Sequence, residues 1–554
     1  MEQTRVDSQS GCLGSVKYQK LLLQESGSEE EEEEEDETES GSQEEEEGED
    51  DMKTVLILDP GHPRALQANP AQNWQSRLKA WAGILSALLL LGLSFYLAAR
   101  QLRPRGASNQ DQEMAASKIQ SLDHHPSGHH HNPGIYPHGV VISESDTCSI
   151  LGRDLLLAGG NVVDAGVGTA LCLALVHPHE TGLGAVFWAL FHNSSSNQTM
   201  ALTPAPAQAL APGLGMPGAL PALHLLHRNL GHLPWSRLLA ATIALAQDGF
   251  SIDQALAEAL AEQDAAGQAT GLCPLLCHPN GTVLGQGTRV TNLGLAAVLQ
   301  RAAQAPETDD QFLSALLHPL AEDLLLKEPL KGIMPTLEPA LRLALPQGLL
   351  FTTPSPTAGE LLLKVLRNPL QAGGLTSDPC PGFLAAAQDA YSGVTPAAPV
   401  GSILAAMDSE GSVLLLVSSL NSTFGSGWLS PSTGILLSDF MGGSQIASWA
   451  CPALLCCGPE VDVLALAASG GSSAPLAVAK TLLSYLALQQ PLPDAVTQPQ
   501  LQIQLSSTGA PRSCRTTPPK TGAPNPEALL LVTTHAEHVR ATGVPASCYP
   551  SRGH

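Results

Sequence analysis

PVGSILAAMDSEGSVLLLVSSLNSTFGSG, residues 399–427, holds two apolar runs, Ile403 to Met407 and Val413 to Val417, around the short polar segment Asp408 to Gly411. A carboxylate and a glycine in a four-residue connection between such runs predict a β-hairpin, the glycine supplying the positive φ that the turn needs. The first strand opens on the small pair Gly401 and Ser402, directly behind a proline and a valine. Two readings fit that pair. It is ordinary strand punctuation, or the chain is cut there and Ser402 becomes a nucleophile.

Outward from the hairpin, helix and strand patterns alternate. The stretch LLLAGGNVVDAGVGTALCLALVHP, 155–178, has a Gly-Gly turn and then apolar residues at helical spacing, as a helix inside a core. Residues 233–260 predict a helix from Ser236 to Gln247, stopped by Gly249, and a second helix after Asp253. Further helices are expected at 358–366 and 474–488, and a strand at 461–471. Aromatic residues are only 4% of the chain, so the core has to be Leu, Val and Ala packed between layers, and an α/β sandwich follows. No zinc-ligand spacing, P-loop or dinucleotide fingerprint occurs. Gly182-Leu183-Gly184 lacks the third glycine and reads as a close-packing turn. The Gly-x-Ser-x-Gly elbow is absent too, since Gly425-Ser426-Gly427-Trp428 and Gly470-Gly471-Ser472-Ser473 do not fit it. No cofactor is expected.

The net charge of −25 is local: residues 25–51 carry 18 of the 52 acidic side chains and no base. The rest is only mildly acidic, which argues against nucleic acid as a partner. The acidic block has no apolar residue to bury, so residues 1–79 are expected to be a solvated, disordered tail. Residues 80–99, AWAGILSALLLLGLSFYLAA, carry no charge; as a helix they span about 30 Å, the thickness of a bilayer core. This predicts a transmembrane signal anchor. The sequons at Asn193, Asn197, Asn280 and Asn421 and ten of the eleven cysteines follow it, so the expected topology is type II, with a cytoplasmic tail and an extracellular or lumenal body. Residues 100–139, rich in Pro, Gly, Ser and His, read as a flexible stalk. Its histidines, including His124, His125 and His129 to His131, have no fixed ligand spacing, and no metal site is expected.

Taken in order, the pieces of the body resemble the gamma-glutamyltranspeptidase family, also called glutathione hydrolases. They are Cys-x-x-x-Gly-Arg-Asp at 148–154, GG-x-x-VDA at 159–165, MPG at 216–218, HLPW with its AQDGF helix at 232–250 and Cys-x-x-x-Cys at 273–277. Then come Pro-x-x-x-Gly before a helix at 354–359, the Ser/Asn/Gly-Ser run at 417–426, SPSTGILL from 430 and ASGG from 468. The acidic tail and the anchor look most like a divergent branch of that family. The resemblance implies an α/β fold, the four-layer αββα N-terminal nucleophile hydrolase sandwich. It also implies self-cleavage between Gly401 and Ser402 into a large part, 140–401, and a small part, 402–554, joined as a heterodimer of one precursor. The freed Ser402 would be the nucleophile, with its own α-amine as base. Ser419 would contact that amine and hydroxyl, Gly470 and Gly471 would offer N–H groups to the oxyanion, and Asn421 and Ser448 would hold a glutamyl head group. The disulfides implied are Cys148 with Cys172 and Cys273 with Cys277. The activity implied is gamma-glutamyl hydrolysis or transfer on glutathione-like amides.

The sequence departs from the family pattern where the substrate's charges are gripped. Two acidic positions are Phe440 and Gly443, the carboxylate-binding arginine falls near Ala205, a second head-group serine is Trp449, and the His two residues after the nucleophile is Leu404. Burying a zwitterion without those partners costs several kcal/mol, roughly. A second reading is therefore a catalytically impaired relative serving as a membrane-anchored interaction protein, and a third a receptor-like ectodomain signalling through the acidic tail.

Overall fold

The computed structural model describes residues 134–205, 209–305, 318–325, 334–371, 378–392, 400–440, 449, 451–456, 462–469, 471–506, 511–518, 529–535 and 538–554. The acidic tail, the 80–99 stretch and most of the stalk lie outside them, as do Gly443, Ser448 and Gly470. Among the described residues no helix is long and apolar enough to cross a membrane.

The hairpin forms as its sequence requires. Val400–Asp408 pairs with Val413–Asn421 in antiparallel register, Leu404 opposite Leu416 and Met407 opposite Val413. Gly411 closes the turn at φ 93°, and the Asp408 carboxylate accepts from the Ser412 N–H at 2.8 Å. These two strands are the centre of a seven-stranded sheet ordered Ser551–Gly553, Gly139–Ile142, Val400–Asp408, Val413–Asn421, Val186–Asn193, Gln198–Thr203 and Thr336–Pro339. A second seven-stranded sheet runs Gly134–Tyr136, His538–Val544, Leu529–His535, Val463–Ala468, Ala453–Cys456, Gly348–Thr352 and Leu341–Leu345.

The near-continuous apolar runs follow from burial on both faces. Successive strand residues point to opposite sides, and here each side meets a separate core. Ile403, Ala405, Met407, Val413, Leu415 and Val417 pack against Leu454, Ala465, Leu530 and Val532 of the second sheet. Leu404, Ala406, Leu414 and Leu416 face the opposite way, into a core with the helix Val162–Val176. The outer face of the second sheet is covered by Gly359–Gln371, Cys380–Ala390 and Ala474–Leu486. The result is helix, sheet, sheet, helix: the four-layer αββα sandwich.

The helix Val162–Val176 is buried along its whole length. It starts at a capping box in which the Asn161 side chain accepts from the Val163 and Asp164 N–H groups while Asp164 accepts from the Asn161 N–H. Gly166 lets it lie on the hairpin, because a Cβ there would sit 2.4 Å from Leu414 Cδ2. Cys148–Cys172 and Cys273–Cys277 are bridged, and so is a pair the sequence reading did not name, Cys380–Cys514. Among the described residues the first strand is Gly134–Tyr136, ahead of the Val140 expected to open the body, and it pairs with the strand His538–Val544.

Candidate active site

The strand holding Ser402 is regular except at one place. Its register with the neighbouring strand shifts between Val400 and Ser402, so Gly401 occupies a bulge. A Cβ on residue 401 would lie 3.0 Å from the Ser418 carbonyl oxygen and 3.9 Å from Ser419 Cβ, which explains glycine there. The Gly401–Ser402 bond is thus held at an irregular, crowded point of an otherwise continuous sheet.

On the other side of that strand lies Gly139–Ile142, paired so that Ala405 opposes Ile142. Continuing that register brings residue 144 beside residue 403. The Glu144 carboxylate accepts a hydrogen bond from the Ser402 hydroxyl and a second from the Ile403 N–H at 3.1 Å. Tyr549 donates to the same carboxylate at 3.4 Å, and Ser469, at the end of Val463–Ala468, bonds Tyr549 in turn. A chain of side chains from Ser402 through Glu144 and Tyr549 to Ser469 therefore links the two sheets, and Ser402 itself is only 2% exposed.

A second carboxyl, Glu180, hydrogen-bonds Glu144. Burial raises the pKa of both, and for Glu180 the neighbouring Glu144 charge adds to it. The Glu180 side chain keeps 31% of its exposure and Glu144 is half-buried, so water stays in reach of both acids, which moderates the shifts without reversing them. Burial and the two carboxylates push the Tyr549 phenol up, so it stays a donor.

Glu180 belongs to the loop after Val162–Val176, where three more polar residues are fixed. His177 Nε2 is 2.5 Å from Asp253 Oδ2. Burial opposes that charged pair, but the hydrogen bond and the attraction of the opposite charges together outweigh it, raising His177 and lowering Asp253. Burial and the nearby His177 hold His179 down to about 3, so it is neutral. Thr181 accepts from the hydroxyl of Ser418, the cross-strand partner of Ser402, at 2.6 Å. His177, His179 and Glu180 bring possible metal-ligand atoms within 4.8 Å of one another. With His177 held by Asp253 and Glu180 by Glu144, the trio reads as an electrostatic network.

Beyond Ser402 the hairpin ends in a run of left-handed residues: Asn421 at φ 77°, Phe424 at 59°, Gly425 at 52° and Gly427 at 67°. Positive φ at a buried phenylalanine is costly. Its N–H donation to the His179 carbonyl at 2.9 Å ties the run to the Glu180 loop. Asn421 donates its N–H to Ser419 Oγ at 2.9 Å, and Asp439 accepts from the Ser422 hydroxyl and N–H.

Of the residues predicted from sequence, Ser402, Gly401, Ser419 and Asn421 cluster at one end of the central hairpin. Ser419 stands beside Gly401, its oxygen engaged by Asn421, while Ser418 is the residue opposite Ser402. Gly471 precedes the helix Ala474–Leu486, two residues past Ser469. Gly470 and Ser448 lie outside the described residues. Asn197 and Asn280 are exposed and Asn193 is half-buried. Phe440 packs edge-on against Trp188 at 6.3 Å, and Trp449 stacks on Tyr391 at 6.0 Å. Ala205 follows Gln198–Thr203 and brings no charge. Sequence reasoning missed Glu144, Glu180 and Tyr549. Glu144 is 258 positions from Ser402, and the only local signal was an acid among serines just past a buried strand.

A sequence profile for gamma-glutamyltranspeptidase matches residues 148–368 and 385–510, which take in the Ser402 hairpin and strands of both sheets. The chain belongs to the gamma-glutamyltranspeptidase family. Within the family it is 50% identical to glutathione hydrolase 6 of Bos taurus, over 90% of this chain and 93% of that protein. It is 49% identical to glutathione hydrolase 6 of Homo sapiens, over 88% of this chain and 93% of that one. The Rattus norvegicus protein of the same name is 47% identical over 98% of this chain and 99% of its own, which takes in the N-terminal region. In fold the chain is similar to a cephalosporin acylase from Bacillus halodurans, with TM-score 0.59, 16% identity, and 78% and 98% of the two chains covered.

Proposed function

We propose that the chain is a membrane-anchored, self-processing gamma-glutamyl hydrolase or transferase whose nucleophile is Ser402. One observation carries this reading: the Ser402 hydroxyl, directly behind a bulged Gly401, is hydrogen-bonded to a carboxylate in a site built from both sheets. Cleavage of the Gly401–Ser402 bond frees an α-amine on the residue that bears the hydroxyl, and that amine serves as base when Ser402 attacks a gamma-glutamyl amide. Ser419 and Asn421 neighbour the reacting atoms, and the segment at Gly470 and Gly471 supplies oxyanion donors. The family assignment and the names of the relatives, glutathione hydrolases, support the donor class, glutathione or a similar gamma-glutamyl amide. The apolar stretch 80–99 serves as anchor and the sequon-bearing body faces the lumen or the outside.

A second reading, a processed family member with little or no turnover that acts as an anchored interaction protein, is favoured by the aromatic residues at head-group positions. Phe440 and Trp449 are 8% and 3% exposed and committed to packing. The test is expression of the wild-type chain and Ser402→Ala, followed on reducing denaturing gels and then by assay on a chromogenic gamma-glutamyl anilide. Cleavage and turnover by the wild type alone support the enzyme. Cleavage without turnover supports the second reading, and an uncut wild type removes Ser402 as nucleophile.

A further inference from the structure

We propose that Glu144 is the proton carrier of self-cleavage at Gly401–Ser402, with Glu180 as the residue that keeps it in the accepting state. This rests on Ser402 being the processing nucleophile, as proposed above.

Before the bond is cut, the Ser402 nitrogen is an amide and cannot act as a base, so the attacking hydroxyl needs another acceptor. Glu144 is in place: it already receives the hydroxyl hydrogen, and its second oxygen is fixed by the Ile403 N–H. In the first step the Ser402 Oγ–H proton passes to the Glu144 carboxylate as Oγ adds to the Gly401 carbonyl carbon. As the carbon–nitrogen bond then breaks, Glu144 returns that proton to the departing Ser402 nitrogen, leaving an ester from Gly401 to Oγ and a free amine. Water adds to the ester, the carbon–oxygen bond breaks, Oγ regains a proton from the water, and Gly401 ends as a carboxylic acid. One water is consumed and Glu144 is unchanged.

The cycle needs Glu144 ionised next to another acid. Glu180 meets that need as a protonated acid that donates to Glu144, so the pair holds one proton. The groups facing the pair are Tyr549, which donates to Glu144, and His177 and Asp253, whose charges act on Glu180. His179 lies 3.9 Å from Glu180 and is neutral.

The test follows cleavage of pulse-labelled full-length chain, made with microsomes and detergent-solubilised, on reducing gels between pH 5 and 8. General acid–base assistance contributes about 10²–10⁴-fold, so Glu144→Gln should slow cleavage at least about 100-fold while leaving the Cys148–Cys172 bridge formed. Glu144→Asp should recover part of the rate. The wild-type rate should rise with pH as one proton leaves, and Glu180→Gln should move that midpoint while keeping the maximal rate. Wild-type speed and an unchanged pH profile in Glu144→Gln, with Ser402→Ala intact, would overturn the role of Glu144 and leave Ser402 standing. An uncut wild type would remove both. If Glu144→Gln fails to form its disulfides, the decision passes to the other measurements, and a flat wild-type profile with no shift in Glu180→Gln overturns the proposal.

Discussion

Glu144 and Glu180 approach from different loops, one following an inner strand and the other following a buried helix, and hydrogen-bond to each other beside Ser402. Burial raises Glu144 from 4.5 to about 7 and, with the Glu144 charge, raises Glu180 from 4.5 to about 8. The folded state therefore binds more protons here than the unfolded chain, and the pair's contribution to stability, complete below about pH 4.5, is lost as pH rises toward 8. His177 has the same sign and His179 the opposite sign, its part being lost as pH falls toward 3. A difference measurement isolates the carboxyls. The double variant Glu144→Gln/Glu180→Gln should gain stability relative to wild type between pH 5 and 8, read from thermal midpoints; a constant difference would show that the pair is not perturbed.

Phe440 packs against Trp188, and Trp449 against Tyr391; the family resemblance would put both at positions that hold the substrate's head group. If the contacts expected at Ala205, Phe440 and Gly443 are all missing, a loss of about 1.4 kcal/mol for each would give roughly a thousandfold lower kcat/KM on glutathione than a relative that has them. The cleaved protein should turn over an N-acylated or esterified gamma-glutamyl analogue better than glutathione. Kinetics on the three donors decides this, and ordinary glutathione turnover would mean that other groups, Asp439 foremost, replace the missing partners.

Asn421 ends its strand at φ 77°. Asn421→Gly should keep the fold and lose any substrate contact made by the amide, whereas Asn421→Val should cost about 1–3 kcal/mol in strain. Denaturant midpoints of the two variants separate conformation from chemistry.

Asn197 and Asn280 are exposed in turns. If the body is lumenal, each should carry a glycan, and Asn197→Gln and Asn280→Gln should each increase gel mobility by one step that glycosidase treatment of the wild type reproduces. An unchanged pattern would reverse the expected topology.

The layers were legible because their causes are local: the hairpin turn from Asp408 and Gly411, the buried helix from apolar spacing behind Gly159 and Gly160, the sandwich from runs with no polar face. Two bridges came only through family resemblance, and so did the choice between the two readings that the residues left open at Gly401 and Ser402. The acid at the nucleophile was not legible, because Glu144 meets Ser402 through sheet register, and nothing in a run of serines and acids announces which strand will lie alongside. Asp253 and His177 were hidden likewise, 76 positions apart.

Cys380 lies before Ser402 and Cys514 after it, and their bridge closes a span of 134 residues around that bond. Cutting at Gly401 would open that closed ring without releasing a fragment. Two pieces held only by packing re-form at a rate set by their bulk concentration, and at low concentration the smaller one would be lost by dilution. A tethered piece instead rebinds at an effective local concentration in the millimolar range, independent of abundance. The bridge would make the processed molecule a single thermodynamic species, reversible in its unfolding only while that sulfur link is oxidised.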